Sequence, residues 1–212
     1  NDMSDVFRNL CVESSRRALI GISLVGFTPT LSILMTLLVI DGESSSQIFF
    51  ILCKAWILFV PTYWFLCLEG NPLSWSLSDK NGIFEGVATG LAMSAVILLV
   101  WITLGDSIDT EPMVEQLQNT GLTGIEVYMA GMFYWIFLNS LLEEYVFRWF
   151  ITVKGVELTG SELGGIVVSA LMFTLHHALA LHLFGFEWWQ TGIACFGLIS
   201  AAAIWSWLYM RH

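Results

Sequence analysis

Two adjacent carboxylates and a guanidinium, in the run Glu143-Glu144-Tyr145-Val146-Phe147-Arg148, stand in a stretch of chain that is otherwise apolar. A charged side chain at the centre of a membrane helix costs about 2.5–3.5 kcal/mol on insertion scales, so a cluster of three marks a functional site by default. Further along, Phe173-Thr174-Leu175-His176-His177 adds imidazoles. Carboxylates, a cation and histidines are the equipment of acid–base chemistry. On a helix, Glu144 and Arg148 are i,i+4 neighbours and pair, which holds Glu144 ionised and fixes its rotamer. Glu143 points about 100° away around the helix and lacks that partner, which leaves it to act as the base that activates a water. Asn139, one turn earlier, is placed to hydrogen-bond it. His177 has Phe173 one turn below it and Leu181 one turn above. From a regular helix the tandem His176-His177 cannot put both rings on one target, so one of the two is structural or supporting.

The elements that must position these groups are membrane helices. The chain is 56% hydrophobic and 12% charged, with a mean hydropathy of +0.73, against about 25% charged residues in ordinary globular proteins. Its apolar residues gather in runs of about 20, the length that crosses a hydrocarbon core of about 30 Å. The fold class is therefore all-α: a polytopic transmembrane helix bundle forming one membrane-embedded domain over residues 1–212. A β-barrel would show short alternating segments instead. The spans are expected at residues 18–40, 48–68, 83–104, 127–151, 163–184 and 188–209. Residues 1–17 form a polar N-terminal segment, and the candidate catalytic helices are the fourth and fifth spans.

Arg8, Arg16 and Arg17 precede the first span, Lys80 and Lys154 fall in the second and fourth connections, and Arg211 follows the last span. The other connections carry only acids, so the positive-inside rule places the N-terminus in the cytoplasm. With no basic patch, nucleic acid is excluded as a partner despite the net charge of −10. Lys54 breaks the pattern inside the second span; it is read as snorkelling or facing a cavity near the outer end of its helix. Pro29 and Pro61 are expected to kink their helices, and Gly82, Gly86 and Gly90 to form a packing face. Residues 105–126 form the longest outer connection, expected to carry a short surface helix. The cysteines Cys11, Cys53, Cys67 and Cys195 have no metal-type spacing.

Glu143 lies roughly 12–16 Å, and His177 roughly 21 Å, from the cytoplasmic ends of their spans at 1.5 Å per residue. Both sit mid-bilayer on antiparallel neighbours and could face each other. A catalytic zinc takes three protein ligands, and Glu143 and His177 are two. Without a His-Glu-x-x-His sequence, a metal-free arrangement is favoured over a divalent ion such as zinc, and no other cofactor is expected.

These residues resemble the first two motifs of the CAAX prenyl protease and bacteriocin-processing (CPBP, or Abi) family of intramembrane proteases. Glu-Glu-x-x-x-Arg corresponds to Glu143, Glu144 and Arg148, and Phe-x-x-x-His to Phe173 and His177. The resemblance covers residues 127–184. It implies that Glu143 activates a water for attack on a peptide carbonyl and that His177 positions the water or stabilises the oxyanion. Glu144 and Arg148 would shape and neutralise the site. The substrate implied is a membrane-anchored or lipidated protein. The family's third motif, a later His followed after three residues by Asn or Asp, has no counterpart before the final His212. The expectation is a chain truncated before one or two further spans. Against the intramembrane endopeptidase stand two alternatives. One is a non-catalytic immunity or scaffold protein of the same fold. The other is an ion-coupled transporter using Glu143, Glu144 and His177 as a relay, which predicts discontinuous helices and a repeat.

Overall fold

The computed structural model describes residues 2–72, 80–119 and 124–212. Residues 73–79 and 120–123 of the second and third connections lie outside the described residues, as do the side chains of Arg8, Cys11 and Lys80. All described regular structure is helical. Among the described residues, six helices are long and apolar enough to cross a membrane: α1 (Glu13–Val39), α2 (Ser44–Leu68), α3 (Asn81–Ser107), α5 (Ile125–Thr159), α6 (Glu162–Leu183) and α7 (Trp188–Arg211). The short α4 (Glu111–Asn119) occupies the long connection between α3 and α5, as expected of that segment. The protein is an integral, multi-pass membrane protein.

Contacts between helix ends fix how the spans alternate. Lys154, late in α5, is bonded to Glu69, just after α2. Gln190 at the start of α7 donates to the carbonyl of Ser107 at the end of α3 (2.9 Å). His212, after α7, lies 3.4 Å from Glu85, near the start of α3. Successive spans therefore run up and down through the bundle.

The largest departure from the sequence reading is the length of α5. Residues 152–162 were expected to leave the membrane as a connection, but the helix continues to Thr159. The physical reason is Lys154, which is almost completely buried and sits between the carboxylates of Glu69 and Glu157. With its charge matched, the lysine does not have to leave the helix. The turn that follows is sharp. Gly160 closes α5 in the left-handed conformation (φ 73°), and the Ser161 side chain caps α6 by accepting from the Gly164 N–H (3.0 Å).

Two prolines act as expected. The first helix breaks at Phe27, two residues before Pro29, and α2 widens into π-type hydrogen bonding at Trp64–Leu68 after Pro61. α5 is also π-helical in two stretches, Tyr134–Asn139 and Glu144–Ile151, which flank the short α-helical piece Ser140–Glu143. Side chains reinforce this wider register: Ser140 donates to the Trp135 carbonyl and Thr152 to the Phe147 carbonyl, each five residues back.

The core lies where α1, α2, α5, α6 and α7 meet. Ile22 and Val25, Ile57 and Trp64, Val146, Phe147, Phe150 and Ile151, Ala170 and Phe173, and Ala202 form one buried cluster. α5 and α6 approach so closely that a Cβ added to Gly155 would stand 2.8 Å from the Gly165 Cα. Only glycine fits that crossing, which sets the distance between the two helices carrying the candidate residues. By contrast, α3 contributes no buried residue. The Gly86 and Gly90 face, expected to pack, meets nothing within 4 Å.

Candidate active site

The two adjacent carboxylates of α5 take different partners. Glu143 faces α6. One of its carboxylate oxygens accepts from the Asn139 Nδ2 (2.7 Å) and lies 3.9 Å from the Nε2 of His176. Glu144 diverges to Arg148, with 3.3 Å between Oε1 and Nε. The sequence expectation of two carboxylates in different environments is matched by the geometry: Glu143 is 18% exposed and Glu144 41%.

Arg148 is held mainly by flat faces. Its guanidinium stands 4.5 Å from the centre of the Phe173 ring and 5.7 Å from that of Trp205. Its Nε and Nη1 are buried without hydrogen-bond partners. A desolvated cation over an aromatic face gains about 2 kcal/mol, and a guanidinium suits such stacking better than an ammonium. Phe173 thus has a second job besides its place below His177. Its carbonyl accepts from the His177 ring at Nδ1 (2.8 Å). A carbonyl can only accept, so Nδ1 carries the proton and Nε2 presents its lone pair. The two motifs interlock through this one residue.

His176 corrects the sequence reading. The tandem was expected to send its rings to different targets, yet Glu143, His176 and His177 each offer a ligand atom within 4.8 Å of the others. The 100° between neighbouring residues describes Cβ directions; here the two rings lean together, their centroids 4.0 Å apart. His176 is stacked on Phe147 (5.4 Å, 12° between planes), and its Nδ1 is buried without a partner. These three residues are the donors available to a metal ion among the described residues.

Lys54 was read as a snorkelling or cavity-facing residue, and it instead reaches across to α5. From α2 its ammonium donates to the Asn139 Oδ1 (2.5 Å) and lies 5.1 Å from the centre of the Phe50 ring. A lysine in an apolar span was the available signal; its partner was not legible. α2 is also tied to α5 by Tyr145, whose hydroxyl donates to the Leu58 carbonyl (3.0 Å) and is 2.7 Å from the Thr62 hydroxyl. Behind the site, Ser169 of α6 and Thr152 of α5 both donate to the Phe147 carbonyl (2.7 and 2.8 Å), and Ser206 of α7 joins them at 3.3 Å. Nothing in the sequence singled out these hydroxyls.

The cluster therefore holds two carboxylates, two cations and two imidazoles at the middle of α5, eighteen residues after its start at Ile125 and sixteen before its end at Thr159. It can position and deprotonate a water while keeping its charges matched. No curated protein and no solved structure matches the chain. Residues 125–212 match the model of the type II CAAX prenyl endopeptidase Rce1-like family. That segment carries Asn139, Glu143, Glu144, Arg148, Phe173, His176 and His177, and over it the chain is similar to the type II CAAX prenyl endopeptidases.

Proposed function

We propose that this protein is an intramembrane endopeptidase that hydrolyses a peptide bond near the C-terminus of a lipidated, membrane-anchored protein, using a water activated by Glu143. The observation that carries this reading is Glu143 itself, held by Asn139 and faced by His176 and His177, in the middle of a membrane span. One carboxylate oxygen is occupied by Asn139, which leaves the other to take a proton from water. The Nε2 lone pair of His177 accepts from the same water and aims it. The hydroxide attacks the scissile carbonyl, and the Nε2–H of His176 stabilises the oxyanion. Glu143 then returns its proton to the leaving amine. Glu144 and Arg148 keep the wall of the site charged but balanced.

The charge count favours water without a metal. Glu143 and Glu144 are already matched by Lys54 and Arg148, and a divalent cation would leave the buried cluster strongly positive. Zinc bonds of about 2.0–2.3 Å in a tetrahedral site require donors roughly 3.3 Å apart, whereas Glu143 and His176 stand at 3.9 Å. Glu143, His176 and His177 would be the ligands of such an ion, after closing together. The positive-inside pattern supports a cytoplasmic N-terminus, with Arg16, Arg17 and Arg211 on the cytoplasmic side and substrate entering from that leaflet.

The test is hydrolysis of a prenylated peptide ending in Cys-aliphatic-aliphatic-X by the protein in liposomes. Release of the last three residues, undiminished by a chelator, is expected. No release, with the protein folded, would sink the endopeptidase reading; loss on chelation and recovery with zinc would sink the metal-free form of it.

A further inference from the structure

We propose that Lys54 and Asn139 form a relay that sets the orientation of Glu143, with Lys54 as a positioning residue supplied by α2, outside the segment that matches the protease family. The argument starts from what each group can do. An ammonium only donates hydrogen bonds, whereas an amide has one face that accepts and one that donates. The Lys54 Nζ lies 2.5 Å from the Asn139 Oδ1, so the amide oxygen must face α2. That leaves the Nδ2 turned the other way, 2.7 Å from the Glu143 Oε1. Lys54 therefore decides which face of the amide the catalytic carboxylate meets. Without it, the amide can flip and oppose oxygen to oxygen.

Two further contacts keep the relay in place. The Phe50 ring lies 5.1 Å from the Lys54 Nζ, and the hydroxyl of Tyr145 pins α2 against α5 through the Leu58 carbonyl. The result is a carboxylate whose Oε1, the oxygen that faces His176, is fixed in place. A charged group in an apolar span is costly unless it serves such a partner. Lys54 stands to Glu143, through Asn139, as Arg148 stands directly to Glu144.

The kinetic arm of the test rests on the endopeptidase reading; a spectroscopic arm does not. In liposomes, Lys54→Met is expected to lower kcat by about 100-fold, the scale of a small misplacement of a catalytic group, with KM nearly unchanged. Lys54→Arg should restore part of the rate. The double variant Lys54→Met/Asn139→Ala should lose no more than the worse of its single variants, because both cut one relay. A raised KM at unchanged kcat, or losses that multiply in the double variant, would overturn the proposal.

Separately, the infrared difference between the wild type and Glu143→Gln isolates the carboxylate stretch of Glu143. The same difference taken in a Lys54→Met background should show that band displaced; an unmoved band refutes the relay. This arm decides even if the wild type hydrolyses nothing, which would be the failure of the endopeptidase reading alone. Should Lys54→Met not fold, Asn139→Ala is read in its place, with the same two outcomes.

Discussion

α3 and the α5–α6 pair are both membrane spans, yet they use their polar residues in opposite ways. α3 is the most apolar span, with a mean hydropathy of 2.3 against 1.3 for α5 and 1.7 for α6. It is also the one with no buried residue. Its hydroxyls turn back on their own helix: Thr89 donates to Glu85, Ser94 to Gly90 and Thr103 to Leu99. In α5 and α6 some hydroxyls also reach across, with Ser169 bonded to the Phe147 carbonyl and Thr152 to Ser206. Lipid is as apolar as leucine, so hydrophobicity places a helix in the membrane without attaching it to a neighbour. Small residues that allow close approach, and polar residues that bond between helices, do the attaching. The site is built where both coincide.

Breaking the close approach should have the largest effect. A Cβ at Gly165 would stand 2.6 Å from the Val156 side chain and 2.7 Å from the Thr152 carbonyl. Gly165→Leu is expected to destabilise the protein by about 3 kcal/mol, the upper part of the usual overpacking range, measured by unfolding in mixed micelles. Full stability would mean that α5 and α6 are not held at this distance.

Arg148→Lys comes next. It keeps the charge but loses the stacking on Phe173 and Trp205, for a loss of about 2 kcal/mol. A silent Arg148→Lys would show that charge alone holds the motif together. Ser169→Ala, which removes one crossing hydrogen bond, should cost about 0.6–1.7 kcal/mol; a larger loss would make the hydroxyl group a structural centre in its own right. At the bottom of the scale, Gly90→Ala on the open face of α3 should change stability by less than about 0.5 kcal/mol. A marked loss there would contradict the contrast between the two regions.

The contrast also explains what could be read from the sequence. The spans were legible because hydropathy alone places them, and all six are found. Glu143, Glu144 and Arg148 stood out because charge in an apolar run has few uses, and Phe173 and His177 because they recur at one helical turn. The extension of α5 to Thr159 was hidden, since Lys154 looks like a loop residue until Glu69 and Glu157 are placed beside it. His176 was turned away by assuming a Cβ direction, when two leaning rings reach one carboxylate. The partnership of Lys54 with Asn139 spans eighty-five residues and depends on packing that no local pattern encodes. The Ser169–Thr152–Ser206 hydroxyls were invisible for a related reason: serine and threonine are common in membrane helices, and only the structure shows which of them cross.

The most direct test of the account is the rate of peptide release from a prenylated reporter in liposomes by the wild type and by Glu143→Gln, a substitution that keeps shape and removes the base. The account predicts a loss of about 100- to 10,000-fold in kcat for the glutamine variant, the usual contribution of a general base, with its melting temperature retained. Equal rates for the two proteins would contradict the assignment of Glu143 as the group that activates water, and with it the catalytic role given to the α5–α6 pair.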